Sequence, residues 1–218
     1  MKMSRVFSPE DLRRVEEAVR DAEKRTSGEI VPYVVERSDG YADATSRGAT
    51  LGALVAALGS AAAFHAVEVW GVPLALWIAA PAVLGAGLGH LASELAPPFK
   101  RLLVPRGVLA ERVRERAAQA FLSEEVFATR ERTGVLIFLS LFERRVVVTG
   151  DRGIAAKVRQ EEWDGIVGGI VRGMREGKPG DALAAAIREC GDLLARHGVD
   201  VRPDDRDELA NGLRLGKP

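Results

Sequence analysis

Carboxylate side chains follow the third predicted strand, and their residue types could bind a metal ion. Asp151 lies in the glycine turn 150–153, where a ligand or ion could approach the backbone closely. Asp164 begins the next helical region, with Glu161 and Glu162 near it in sequence. Carboxylate oxygens are the ligands that hard divalent cations such as Ca²⁺ prefer. We therefore predict Asp151 and Asp164 as metal ligands; alternatively, Asp151 caps a turn and Asp164 caps or decorates a helix.

The single cysteine, Cys190, precedes Arg196 at the spacing of a cysteine phosphatase loop, with five residues between them. That chemistry requires a loop of backbone N–H groups at a helix N-terminus, which lowers the thiol pKa and holds phosphate. Here both residues fall within a helical pattern, and Cys190 shares an apolar stripe with Leu183, Ile187 and Leu194. This pattern favours a buried structural cysteine. Because the common nucleotide, serine hydrolase and zinc motifs are missing as well, no catalytic residue is predicted.

The elements that would position these residues form an α/β pattern. The segment Ser8-Pro9-Glu10-Asp11 has the residue types that begin a helix. Predicted strands cover 29–36, 134–141 and 145–149, the last two forming a β-hairpin; Pro32 indicates an edge position or a bulge. Predicted helices after the central apolar segment cover 108–128, 155–160, 162–175 and 181–197. Strands covered by several helices indicate a layered α/β sheet.

The middle of the chain carries two apolar runs, and each is long enough to cross a membrane. Residues 48–67 and 72–93 contain no Asp, Glu, Lys or Arg, whereas spanning a bilayer takes about 20 apolar residues. The connection between them is so short that the two helices must form an antiparallel hairpin. The small-residue pair Gly85 and Gly89 predicts close helix packing and suggests oligomerisation. A buried helical hairpin in a soluble core is the alternative.

Charged residues around the hairpin predict its orientation. Basic residues precede the first span and follow the second, at Arg47, Lys100 and Arg101, while the turn between the spans has none. We therefore expect a multi-pass protein of the cell inner membrane with its soluble domain in the cytoplasm. Over the whole chain, 31 basic and 31 acidic residues balance, which argues against a nucleic-acid partner.

The predicted organisation is one soluble domain interrupted by the hairpin. Residues 1–46 form its first part, 47–99 the transmembrane hairpin, 100–202 its second part, and 203–218 a loosely ordered tail. Each flanking part is too small to fold alone, and the strand at 29–36 needs a sheet to join.

Several short motifs in this order resemble the TPM domain family. They are Ser8-Pro9-Glu10, Thr26-Ser27-Gly28-Glu29-Ile30, Arg132-Thr133-Gly134-Val135-Leu136-Ile137, Gly150-Asp151-Arg152-Gly153-Ile154 and the acidic tail 204–209. The resemblance covers about 1–37 and 110–210. It implies a small mixed β-sheet sandwiched between helices, association with the lipid bilayer, and a role in the assembly or maintenance of membrane protein complexes.

The resemblance also implies two further properties, with departures in this sequence. Some family members bind divalent cations such as calcium, and plant members have been described as acid phosphatases. The acidic loop that family members carry before the second strand reads Glu131-Arg132-Thr133-Gly134 here and lacks their paired short acceptors. Many members have a signal peptide and a C-terminal anchor, whereas this chain has an internal hairpin. We therefore expect a non-enzymatic, membrane-anchored interaction domain, with a cation-dependent phosphatase-like hydrolase as the alternative.

Overall fold

The computed structural model describes residues 6–66, 71, 73–201, 204 and 208–216. The chain divides into two compact units. Met1–Ser38 and Ala110–Pro218 form the first, which we call the sheet unit, and Asp39–Leu109 form the second, the hairpin unit. The hairpin unit is thus inserted in the sequence of the sheet unit.

The sheet unit contains both helices and strands. In chain order its elements are α1 (Pro9–Glu23), β1 (Ile30–Val35), α5 (Arg106–Ser123), β2 (Val135–Ser140), β3 (Arg145–Gly150), α6 (Arg152–Ala155), α7 (Gln160–Arg175), α8 (Pro179–Arg196) and β4 (Arg214–Gly216). The hairpin unit contains α2 (Ala42–Ala66), α3 (Leu74–Leu95), α4 (Pro97–Leu103) and the first residues of α5.

Four strands of the described chain form one mixed sheet in the order β3-β2-β1-β4. β1 runs parallel to β2, with Ile30 opposite Val135, and parallel to the three residues of β4. β2 and β3 are antiparallel and form the predicted hairpin. This architecture confirms the predicted α/β fold with a small mixed sheet between helices.

The prediction that Pro32 marks an edge or a bulge is wrong, because β1 lies inside the sheet between β2 and β4. The carbonyls of Glu29 and Val35 accept hydrogen bonds from the β2 side at 2.8 and 3.1 Å. Since residues alternate along a strand, the nitrogen of Pro32 faces the other side, where β4 begins to pair only at Tyr33. Proline therefore removes no hydrogen bond from the sheet.

Helices cover both faces of the sheet. On one face, α1, α7 and α8 bury Ile30, Val34 and Ile137, and on the other α5 buries Val31 and Phe138. Every residue of β1 and β2 is buried, as a continuous apolar run predicts for a strand covered on both sides.

The first helix begins where the sequence predicted. The Ser8 hydroxyl accepts a hydrogen bond from the Asp11 amide at 3.1 Å, and the Asp11 carboxylate accepts one from the Ser8 amide at 2.9 Å. This reciprocal capping box satisfies two amides that the helix itself leaves unpaired.

Two predictions near the end of the chain are corrected. The helix predicted at 155–160 is instead the short α6, Arg152–Ala155, because the Asp151 carboxylate caps it by accepting from the Arg152 amide at 2.7 Å. The tail that was expected to be loosely ordered contributes β4 to the sheet. The tail residues 203, 205–207 and 217–218 lie outside the described part of the chain.

In the hairpin unit, α2 and α3 pack together through small residues. Gly48 and Gly52 of α2 lie against Gly89 and Gly85 of α3, so closely that a Cβ atom on Gly85 would lie 2.5 Å from the Cβ of Ala56. The predicted close packing thus occurs within one chain. Oligomerisation through Gly85 and Gly89 stays a prediction.

Both hairpin helices are long and apolar enough to cross a membrane, over Ala42–Phe64 and Leu74–Leu95. The predicted spans 48–67 and 72–93 fall on these helices, although their end residues Val67 and Val72 lie outside the described part of the chain. Large apolar side chains on both helices are exposed, among them Leu58, Val83 and Leu88.

Candidate interaction site at the open edge of the sheet

Strand β3 lies at one edge of the sheet, with β2 on one side and no strand of the described chain on the other. The Asp151 amide, directly after β3, donates to the Gly134 carbonyl of the β2 side at 2.8 Å. In an antiparallel pair the residues that face the partner alternate, so Val147 and Thr149 also face β2. The amides and carbonyls of Val146 and Val148 therefore point away from the sheet. They can pair with an additional strand.

A groove of about 600 Å³ runs beside this edge, between α5 and α7. Val146–Thr149 form its base, Phe121 and Leu122 of α5 one wall, and Trp163 and Val167 of α7 the other. Leu122 is 63% exposed, although leucine is a residue that folding normally buries. The groove thus combines unpaired backbone groups with apolar walls.

Asp164, one of the predicted metal ligands, lies on the α7 wall of this groove. It is exposed, and its carboxylate accepts a hydrogen bond from the Gln160 side chain at 3.0 Å. Arg114 lines the α5 side and forms an ion pair with Glu111 at 3.3 Å. The rim of the groove therefore carries a positive and a negative side chain.

Asp151, the other predicted metal ligand, is 7% exposed and already has a cationic partner. The Arg132 Nε atom lies 2.6 Å from Asp151 Oδ2, although the N–H vector is not aligned for a hydrogen bond. A second nitrogen of Arg132 donates to Oδ1 at 3.3 Å, and the guanidinium lies 5.4 Å from the centre of the Phe127 ring. The positive charge of Arg132 compensates the negative charge of the buried Asp151 carboxylate. The same carboxylate also caps α6.

The described residues contain no group of three His, Cys, Asp or Glu side chains that could hold a metal ion. Asp151 is engaged by Arg132 and by the α6 amide, and Asp164 by Gln160. These contacts fit the alternative roles as a turn cap and a surface residue. Binding of a divalent cation such as Ca²⁺ therefore stays a prediction, and the described residues offer no set of ligands for it.

The interpretation of Cys190 as a buried structural residue is confirmed. It lies in the core between the sheet and α1, α7 and α8, and burial raises the pKa of its thiol. Arg196 is in the last turn of the same helix, α8, and donates to the Asp192 carbonyl. Because a phosphatase cysteine must be a thiolate within a loop of amides, Cys190 cannot serve as one here.

The sequence predicted the β2–β3 hairpin but not the groove beside it. A signal was available, because the chain enters helices after β3 and supplies no later strand long enough to cover it. The walls could not be recognised, since Leu122 and Val167 come from helices on opposite faces of the sheet.

Comparisons with known proteins found a family model and a solved structure that are similar to this chain. Residues 104–193 match the family model described as TPM domain, a stretch that includes β2, β3 and α7. The NMR structure of the BA42 protein from the psychrophilic bacterium Bizionia argentinensis matches with a TM-score of 0.60 and 21% sequence identity, covering 99% of this chain and 99% of that chain. At that identity the likeness shows the fold alone. No curated protein matches the chain. Residues 104–193 of this chain are therefore similar to the TPM domain family, and the fold is similar to that of the BA42 protein.

Proposed function

We propose that this protein is a membrane-anchored, non-enzymatic interaction domain that assists the assembly or maintenance of a membrane protein complex. In this proposal, the groove beside β3 binds an extended segment of a protein partner. The open β3 edge carries the proposal, because its outward amides and carbonyls at Val146 and Val148 are main-chain groups that a partner strand can pair with.

The hairpin unit supplies the anchor in this proposal. Its helices contact each other through glycines, while large apolar side chains such as Leu58 and Leu88 face outward and are 71% and 68% exposed. Soluble proteins seldom expose apolar surface on this scale, whereas lipid-facing helices do so. Basic residues at both ends of the hairpin support an inner-membrane location with the sheet unit in the cytoplasm.

The geometry of the groove favours one kind of occupant. Two outward-facing residues allow an added strand to form up to four hydrogen bonds, each contributing about 0.5–1.5 kcal/mol. Side chains of that strand would alternate between the α5 wall, with Phe121 and Leu122, and the α7 wall, with Trp163 and Val167. The expected partner segment is therefore short and extended, with apolar residues.

Site-specific photocrosslinking in native membranes tests this function. In one variant a photoreactive amino acid replaces Leu122, which lines the groove. In a second variant of the same chain it replaces Val201, an exposed apolar residue outside the groove. We expect position 122 alone to capture a membrane protein partner. Adding Val148→Pro, which removes one outward-facing amide but no hydrogen bond to β2, should abolish the capture.

The matched outcomes separate the groove from other surfaces. Identical products from positions 122 and 201, or products that persist with Val148→Pro, would refute binding at the β3 edge. A crosslinked dimer of this chain would show that a second copy, rather than a different partner, occupies the edge. Topology mapping tests the orientation separately. If a reagent in the cytoplasm labels the residues between α2 and α3, the proposed orientation is wrong.

The alternative function, a phosphatase-like hydrolase, rests on family resemblance. Turnover of a phosphomonoester by the purified full chain, dependent on Ca²⁺ or Mg²⁺ and abolished by Asp151→Asn, would favour it. The interaction proposal expects no turnover above that of a matched buffer.

A further inference from the structure

A second concave site lies at the end of the sheet where β2 turns into β3, and it has an unusual charge. The pocket has a volume of about 500 Å³. Val146, Val171 and Met174 give it an apolar surface, and three arginines, Arg144, Arg145 and Arg175, also line it. It shares Val146 with the groove beside β3 but extends toward the end of α7 instead.

The three arginines have no acidic counterpart. No Asp or Glu lines the pocket, and within the described residues none of the three guanidiniums forms an ion pair or a side-chain hydrogen bond. Elsewhere in the sheet unit arginines commonly pair with carboxylates, as Arg14 does with Asp181 and Arg214 with Glu124. Three arginines without acidic partners at one pocket create a local positive potential that an anion would neutralise.

The turn that carries Arg144 and leads into β3 is linked to neighbouring residues by hydrogen bonds of Glu143. The Glu143 carboxylate accepts hydrogen bonds from the Ser38 amide at 2.9 Å and from the Ser140 hydroxyl, which itself accepts one from the Ser38 hydroxyl at 2.9 Å. All three residues belong to the sheet unit. This network connects the turn to the end of β2 and to the residues after β1.

Arg144 occupies a backbone position that favours glycine. Its φ angle is 54°, in the left-handed region that L-residues with a side chain seldom adopt. A glycine would satisfy the turn with less strain, so the arginine is retained at some cost to the backbone. Strained backbone positions of this kind concentrate at functional sites.

We infer that this pocket binds a phosphate group that is attached to an apolar moiety. Guanidinium groups form paired, charge-assisted hydrogen bonds with phosphate oxygens. A phosphate ligand has more charge and more acceptor oxygens than a carboxylate ligand, so it fits a site with several arginines better. Val146, Val171 and Met174 provide surface for the apolar part of the ligand. A phospholipid headgroup with its adjoining glycerol and chain carbons has this chemistry, and free phosphate shares its polar half.

Isothermal titration calorimetry on the purified full chain in dodecyl maltoside tests this inference. The probes are dihexanoyl phosphatidic acid, dihexanoyl phosphatidylcholine, which has the same chains but no net charge, and inorganic phosphate. Arg144→Gly removes one guanidinium, and glycine readily adopts the positive φ angle of that position. Arg175→Gln removes a second guanidinium. Arg172→Gln is the matched control, because Arg172 lies one turn earlier on α7 and outside this pocket.

We expect saturable binding of phosphatidic acid and at least about tenfold weaker binding in Arg144→Gly and in Arg175→Gln, because each loses charge-assisted hydrogen bonds. Arg172→Gln should bind like the unchanged protein. Phosphatidic acid binding more tightly than inorganic phosphate identifies a lipid as the ligand source. Equal binding would refute a role for the apolar moiety and leave a site for free phosphate.

Equal affinity for phosphatidic acid and phosphatidylcholine would overturn the inference, as would unchanged binding after both arginine substitutions. The thermal midpoint of Arg144→Gly should equal or exceed that of the unchanged protein. If that variant fails to fold, Arg175→Gln against Arg172→Gln decides the question. Neither result depends on the groove beside β3, which keeps its own test.

Discussion

Replacing Gly89 by alanine should loosen the packing of α2 against α3, whereas the same change at Gly87 should not. The two glycines are two residues apart on α3, but their surroundings differ. A Cβ atom on Gly89 would overlap the Gly48 carbonyl and lie 3.2 Å from the Gly52 Cα, both backbone atoms. A Cβ atom on Gly87 would have no heavy atom within 4 Å.

The size of the effect follows from two opposing contributions. Alanine is favoured over glycine inside a helix by about 1 kcal/mol, which stabilises both variants alike. The clash at position 89 can be relieved only by moving one helix backbone away from the other, and overpacking of this kind costs about 1–3 kcal/mol. Because the propensity contribution cancels in the comparison, Gly89→Ala should be less stable than Gly87→Ala by about 1–3 kcal/mol.

Denaturation of the full chain by sodium dodecyl sulfate, starting from dodecyl maltoside micelles, measures this difference. Trp77 is a suitable reporter, since its indole nitrogen donates to the Ser60 carbonyl across the helix pair at 2.8 Å. The two other tryptophans are replaced by phenylalanine so that the fluorescence reports this contact. Equal stability of Gly87→Ala and Gly89→Ala would refute the proposed contact between the glycines of α2 and α3.

Three further predictions concern the sheet unit. Glu162 accepts hydrogen bonds from His197 at 3.1 Å and from the Arg159 amide, and these hold its pKa below the usual value. Glu162→Gln should therefore lower the denaturation midpoint at pH 7. The difference from the unchanged protein should shrink only when the pH falls below the usual glutamate pKa and through the lowered pKa of Glu162, where the folded protein takes up the proton. Ser8→Ala should destabilise the unit by about 1 kcal/mol in denaturant titrations, whereas Ser8→Asp, which keeps a capping oxygen, should cost less. Cys190 should react with Ellman's reagent only when the protein is unfolded, because it is buried and its thiol pKa is raised; fast labelling of the native protein would contradict its place in the core.

Local patterns in the sequence were sufficient for much of the fold. The run of apolar residues in β2, followed by a tight turn and a second strand, predicts the hairpin without knowledge of the rest of the chain. The start of α1 is equally local, because the Ser8–Asp11 capping box spans four residues. The two apolar runs predict the α2 and α3 helices, since their length and composition alone indicate them.

The features of the fold that the sequence did not predict depend on pairing between distant parts of the chain. β4 has only three residues, which is too short for a periodic pattern, and it pairs with β1 from about 180 positions away in the chain. Arg214 secures this strand through Glu124 at 3.1 Å. Gly216 is needed there because a Cβ atom would lie 2.5 Å from the Tyr33 hydroxyl. The placement of Pro32 inside the sheet depends on this strand and could not be predicted without it.

The candidate sites show the same division between local and distant information. A carboxylate in a glycine turn is compatible with a metal ligand and with a helix cap, and residue type does not separate the two. The partner that decides is Arg132, which lies 19 residues before Asp151 and reaches it across the β2–β3 hairpin. The arginine pocket is equally hidden, because Arg144 and Arg175 come from a strand turn and from the end of a helix.

The two edge strands of the sheet, β3 and β4, differ in length, and this difference supports the proposed interaction at β3. An exposed edge strand invites pairing with other chains, and proteins commonly protect such edges by making them very short or by placing charges on them. β4 is a three-residue edge, which fits the first solution. β3 has six residues, and its centre is the uncharged, β-branched run Val146–Val148, which has a high propensity to pair. Neither protection applies to this run of three valines, which supports the proposed pairing of β3 with a partner strand.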